Sequence, residues 1–307
     1  MPQTKSTLTL PHLLLALAVT MVWGSNFVVI HIGLEHFPPI LFAALRFLFV
    51  FFPLCLFLKR PNVPLKNIAF YGILVGAGQF GLLFTAMKLS LSPGLASLIM
   101  QVQVFFTIGL AMIVTGEKVA KYQIFALLIA VSGLILIGAK AGGEATPMAL
   151  LLAITGSFCW ACSNMIVRKT PNVNMLAYVV WGGLFAFPPL LAYSYLTEGG
   201  TQIFSIAKSA TPQAWAALAW QSIGNSMFGY AAWGFLLGRY KAASITPIAL
   251  LIPISGIGAS VILLQEQLQE WKILASVLVM TGLAINTFWG ELGILAKISD
   301  FRNPKKD

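Results

Sequence analysis

The chain has 307 residues, of which 58% are hydrophobic and 9% charged, and its mean hydropathy is +0.87. Soluble domains carry about 25% charged residues, so a chain this apolar cannot cover its own surface in water, and lipid must be its solvent. The net charge of +10 does not point to nucleic acid, because the basic residues sit at the ends of apolar runs and form no dense polar face.

A helix needs about 20 mostly apolar residues to cross a hydrocarbon core of about 30 Å. Windows of that kind predict ten spans, near 11–31, 38–58, 67–88, 93–114, 120–139, 147–167, 174–196, 212–236, 243–264 and 271–290. Lys5 precedes the first run, but no small-residue cleavage site closes it, which predicts a retained helix. The connections are short and leave no room for a soluble domain. Runs this long exclude barrel strands, so the expected fold is an all-α integral membrane bundle. Lys and Arg crowd the segments that share a side with the N-terminus. Only Lys88, Lys140, Lys208 and Lys272 fall on the other side, and Arg46 lies within a span. By the positive-inside rule both termini face the cytoplasm, with 291–307 a basic cytoplasmic tail.

The halves of the chain are alike. Residues 116–137 align without a gap to 265–286, placing Glu117 on Glu266, Tyr122 on Trp271 and Ser132-Gly133 on Thr281-Gly282. The same offset carries Gly94 onto Ala243, and a nearby one carries Ser25-Asn26 onto Ser163-Asn164. Two units follow, 11–139 and 147–290, each of five spans. An odd number turns the second unit upside down, and inverted repeats meeting at the midplane are a recurrent plan of secondary transporters.

In lipid, each buried polar group needs a reason. The nine acidic residues all fall in loops, at helix ends or in the tail, so a mid-span proton relay is not evident. Glu117 and Glu266 are expected to cap helix starts. An arginine at a helix centre costs about 2.5–3.5 kcal/mol. Arg46 is therefore expected to anchor a substrate carboxylate, or else to hold helix-end carbonyls or pair with Glu35.

Trp23 and Asn26 share one face of the first helix; Trp160 and Asn164, with Ser157, share one face of the sixth. They are expected to line a wet cavity, with Gly24 and Ser25 permitting close helix approach. Gln79 on the third helix, Gln101 on the fourth, and Gln221, Asn225 and Tyr230 on the eighth complete the expected substrate-binding set. Gln103 is rotated by about 200° from Gln101, so only Gln101 is expected to face the path. Gly72 and Gly76 read as close-packing positions. His31, Glu35 and His36 read as a hydrated loop or a proton sensor. Pro247 and Pro253, with Gly256 and Gly258, should weaken the ninth helix, the expected gate. Cys55, Cys159 and Cys162 read as packing residues, because the C-x-x-C lacks further ligands. No metal and no cofactor are expected. No Ser/His/Asp set, H-E-x-x-H or paired span carboxylates suggest an enzyme.

Several stretches together resemble a known family: WGSNFVVI at 23–30, PPILFAALRF at 38–47, GLASLIMQVQVFFT at 94–107, the GE at 116–117 and LLGRYKAASITPIALLIPISG at 236–256. They are similar to the drug/metabolite transporter superfamily and, more narrowly, to its EamA-type ten-span exporters, over about residues 11–290. The resemblance implies export of small amino-acid metabolites, O-acetylserine- or cysteine-like, across a bacterial inner membrane by alternating access. A small-molecule substrate and membrane lipid are then the partners, and a proton is the candidate coupling ion. The alternatives are export of other amino acids or amphipathic drugs on the same fold, or a non-transporting membrane sensor or structural protein.

Overall fold

The computed structural model describes residues 8–115, 120–170, 173–240 and 242–302, and among them every regular element is helical. Glu117, Lys5 and the end of the basic tail lie outside the described residues. Nine of the described helices are long and apolar enough to cross a membrane: Leu10–His36, Pro39–Leu56, Leu65–Leu89, Pro93–Val114, Lys121–Lys140, Pro147–Arg168, Met175–Thr197, Pro247–Leu264 and Glu270–Trp289. The eighth predicted span forms a continuous helical run from Pro212–Ala219, Trp220–Phe228 and Gly229–Arg239. It is less apolar because Gln221, Ser222, Asn225 and Ser226 are turned inward and buried. Numbered in chain order with this run as the eighth, the segments make one bundle.

Local chemistry sets where the helices begin. The side chains of Ser92, Thr146, Asn174 and Thr211 each accept from the backbone amide three residues on. In three of these cases Pro follows, whose missing N–H would have been an orphan anyway. The second helix starts at Pro38-Pro39 with no capping side chain of its own. Glu198, just past the seventh helix, supplies the acceptor instead, taking the Ile40 and Leu41 amides at 2.8 and 2.9 Å.

Five helices depart from uniform α geometry, the second by a closing 3-10 turn at Leu54–Leu56. The third and eighth contain π segments, Leu74–Gly81 and Trp220–Phe228. The fourth and ninth contain 3-10 segments, Met100–Val102 and Thr246–Leu250. The weakening expected near Pro247 and Pro253 therefore takes the form of a 3-10 stretch rather than a kink in an intact helix. Pro247 stands at its start, and Pro253 falls in the first turn of Leu251–Leu264, where a missing N–H costs little.

The packing partners recur five helices apart. The fifth helix packs on the tenth and the second on the seventh; first on ninth has its counterpart in sixth on fourth, and third on seventh in eighth on second. Gly133 and Gly282, aligned in the sequence, both lie in the fifth–tenth contact. A Cβ on Gly133 would stand 2.9 Å from the Ala275 carbonyl oxygen, and one on Gly282 would stand 2.6 Å from that of Ala126. Small residues there let two backbones meet, which is how helices associate in lipid.

At the end of the bundle opposite Leu10, charges knit the loops together. Lys272 is 4% exposed; its Nζ donates to Glu266 Oε1 at 3.2 Å and pairs with Glu144 Oε2. Glu266 also accepts from Ser92 Oγ at 2.7 Å, from the Gly94 amide at 3.3 Å and from Ser260 Oγ. Its carboxylate thus caps the fourth helix rather than the tenth, which it precedes. Burial alone would raise the Glu266 carboxyl; the hydrogen bonds from Ser260 and Ser92 and the charge of Lys272 outweigh that and hold it below its ordinary value.

Two outcomes follow. Gly282→Val should lower the melting temperature of the purified protein, since overpacking costs about 1–3 kcal/mol; Gly138→Ala, where nothing lies within 4 Å, should not. Because the Glu266 carboxyl is depressed, its contribution is fully present above the unfolded value of about 4.3 and is lost as pH falls through the lower folded one. Glu266→Gln should therefore melt below the parent protein at pH 7, and the gap should shrink as pH falls below 4.3. A gap that stays constant would contradict the assignment.

Candidate functional site

A cavity of roughly 90 Å³ lies within the bundle, room for several waters at about 10–15 Å³ each. The first, third, fourth, sixth, eighth and ninth helices all contribute to its wall. Of the residues singled out in the sequence, Trp23, Asn26, Gln79, Gln101, Trp160, Asn225 and Tyr230 line it. Phe27, Ile30, Phe80, Leu83, Met100 and Ile252 supply the apolar remainder. The periodicity did not single out that apolar set, because in a chain this hydrophobic a cavity-facing Phe or Ile looks the same as a packed one.

The polar wall is built by pairing across the two halves. Asn26 is 4% exposed, and its Oδ1 accepts from Gln221 Nε2 at 2.7 Å, with a longer return bond of 3.5 Å. Gln221 does not itself line the cavity; it is fully buried behind Asn26 and holds that amide in place. Trp23 Nε1 donates to the Asn225 carbonyl at 3.1 Å, a carbonyl within the π segment, where the regular ladder is loosened. Its ring stands against Tyr230 and Trp233, with centroids 5.7 and 5.4 Å away. Gly229 makes room for this: a Cβ there would lie 2.2 Å from Trp23 Nε1. The need for glycine at 229 depends on a side chain two hundred residues away, so no local signal carries it.

Gly24 lets the first helix meet the ninth, since a Cβ would stand 2.5 Å from the Ile252 carbonyl oxygen. Ser25 plays no part in that approach; its hydroxyl donates to Met21 O, one turn back. Ser157 donates to the Ile99 carbonyl at 3.3 Å, beside the 3-10 segment of the fourth helix. Gly72 and Gly76 pack on Gly182 and Ala186 of the seventh helix. Cys159 packs on Gly78.

Besides Gln221, two more expected members stand away from the cavity. Asn164 Nδ2 donates to Gln103 Oε1 at 2.9 Å; the fourth helix that turns Gln101 inward turns Gln103 to the sixth helix. Arg46 is 1% exposed and lies behind the wall. It does not pair with Glu35, which faces His31 instead at 3.9 Å, and it holds no helix-end carbonyl. Its Nη2 donates to Ser226 Oγ at 3.2 Å, while Nε and Nη1 have no hydrogen-bond partner among the described residues. The face of Phe80 covers the guanidinium, 3.5 Å from centroid to Cζ. Ser226 was missed in the sequence, although it continues the polar run of Gln221, Ser222 and Asn225.

The EamA-like transporter family model matches residues 10–139 and 147–288. A "Probable amino-acid metabolite efflux pump" of Salmonella typhimurium is 38% identical over 291 residues, covering 93% of this chain and 97% of that one. A protein of the same description in Escherichia coli strain K12 is 36% identical, covering 89% and 94%. A "Probable terminal-alkyne amino-acid exporter" of Streptantibioticus cattleyicolor is 28% identical, covering 78% and 80%. A solved crystal structure superposes with a TM-score of 0.60 over 91% of this chain and 97% of its own, at 20% identity, a likeness of fold alone. A family model that accounts for nearly the whole chain places this protein in the EamA-like transporter family, as a multi-span membrane transporter and not an enzyme.

Proposed function

We propose that the protein exports small amino-acid metabolites, O-acetylserine- or cysteine-like, across a bacterial inner membrane by alternating access. In this reading the chain spans the membrane ten times with both termini cytoplasmic. Residues 11–139 and 147–290 are inverted five-helix repeats around the shared cavity. The observation that carries the reading is the cavity wall. Asn26, Gln79, Gln101 and Asn225 bring neutral amides to it from helices of both halves, and such groups can bind a zwitterion without fixing either of its charges permanently. The two efflux pumps named above, 36% and 38% identical to this chain, support the substrate class.

The irregular segments support the motion. The 3-10 stretches of the fourth and ninth helices sit in helices that border the cavity, and shifted hydrogen bonding there costs less than breaking a regular helix. The ninth helix moves at Thr246–Leu250, with Pro247 and Pro253 marking the segment. In the state described, the Glu266–Lys272–Glu144 cluster holds the far end together, so substrate loads from the side of the termini. The apolar share of the wall, including Phe27, Leu83 and Ile252, favours a second cargo class, amphipathic compounds that compete for the same cavity.

Proteoliposomes loaded with labelled cysteine or O-acetylserine, with and without a pH gradient, test the proposal. Efflux is the expected result, and its absence for both compounds sinks the export reading. A response to the gradient assigns proton coupling, and indifference assigns facilitated export. Asn26→Ala strands the buried Gln221 amide and should cut flux by about tenfold, since an unsatisfied buried group costs about 1–3 kcal/mol. Gln101→Ala should cut it by about fivefold, the worth of one hydrogen bond. Undiminished flux from both variants at equal membrane abundance would remove these residues from the path.

A further inference from the structure

We infer that Gln79 and Arg46 read the two charges of a free α-amino acid, and that the Phe80 ring over Arg46 is a lid which the substrate displaces. The inference rests on the cavity being the transport site and goes beyond it to a selection rule for amino-acid cargo: a free carboxylate and a free ammonium both strengthen binding.

Two groups of opposite polarity lack hydrogen-bond partners among the described residues, one on the residue before Phe80 and one under the Phe80 ring. Gln79 lines the cavity, is 4% exposed, and its Oε1 has no hydrogen-bond partner. It is an acceptor without a donor, the complement of an ammonium. Arg46 carries two N–H-bearing nitrogens, Nε and Nη1, that are equally without partners. Among the described residues no carboxylate pairs with it, and a buried cation left so is costly. A substrate carboxylate would satisfy one of them through a charge-assisted hydrogen bond, since Nε and Nη1 point from different edges of the guanidinium.

One side chain belongs to both the cavity wall and the surroundings of the guanidinium. Phe80, the residue after Gln79, lines the cavity and lays its face on the guanidinium. That cation–π contact is a partial substitute for an anion, and a desolvated one is substantial, so it stabilises the empty protein. It is also replaceable, since the ring forms no hydrogen bond. The backbone around it is adaptable, because Gln79 and Phe80 both lie in the π segment Leu74–Gly81. The anchoring hydrogen bond to Ser226 comes from Nη2, which leaves the other two nitrogens free to turn to a ligand.

The test compares four probes as competitors of labelled L-cysteine efflux from proteoliposomes: L-cysteine, its methyl ester, cysteamine and 3-mercaptopropionate. The ester and cysteamine lack the carboxylate, and mercaptopropionate lacks the ammonium. Each should compete about tenfold or more weakly than cysteine, the loss expected when a charge-assisted contact is missing. Phe80→Leu keeps an apolar side chain but removes the ring, and should lower the half-saturating concentration of cysteine. Gln79→Leu should erase the discrimination against mercaptopropionate while keeping that against the ester. Equal competition by cysteine and its ester in the unmodified protein overturns the inference while the export reading stands. Absence of any cysteine or O-acetylserine flux sinks the export reading instead. The probe series on the unmodified protein decides the matter even where a variant fails to fold.

Discussion

Hydrocarbon offers no hydrogen bonds, and the architecture of this protein follows from how each polar group finds a partner inside it. Thr20, Ser25, Thr85 and Ser255 donate to carbonyls about one turn back on their own helices. The amides at the start of the second helix, which begins with two prolines, take a carboxylate from beyond the seventh. Where regular helix gives way to π or 3-10 geometry, the freed groups meet side chains from a different helix: Ser157 at the Ile99 carbonyl, Trp23 at the Asn225 carbonyl. At these two places irregular backbone lies in the interior, where protein takes the place of solvent.

The same constraint divides the charged residues. Lys272, Glu266 and Glu144 sit at the end of the bundle, in a cluster where one ammonium holds two carboxylates. The spans themselves rely on neutral amides, which bind polar substrates without the desolvation penalty of an ion. Arg46 departs from both patterns. It is buried mid-helix, tied by one hydroxyl and covered by one aromatic face, and this departure from full satisfaction sets it apart from the merely structural polar residues.

Reading the chain as text recovered the helices well because their signal is local. A run of about 20 apolar residues and a cap-Pro pair such as Ser92-Pro93 or Thr211-Pro212 need no knowledge of neighbours. The eighth helix was legible through its continuity despite Gln221, Ser222, Asn225 and Ser226. The site was legible in part. Asn26 and Trp23 announce a polar face by their spacing, but spacing does not say whether an amide meets a cavity or another amide. Asn164 found Gln103, and Gln221 found Asn26. Glu266 was recognisable as a helix cap, yet the helix it caps belongs to the other half of the chain.

Sequence alone determined that this chain lives in lipid, that it is helical throughout its regular structure, and which few residues carry polar chemistry into the bilayer. These are properties of composition and of periodicity along a single helix. Tertiary structure decided the rest: that Phe80 would cover Arg46, that Gly229 must yield to Trp23, and that Gln79 at the cavity wall would keep an acceptor without a partner among the described residues. Each depends on contacts between segments distant in the chain, and in a bundle of uniformly apolar helices the sequence pattern does not specify which faces will meet.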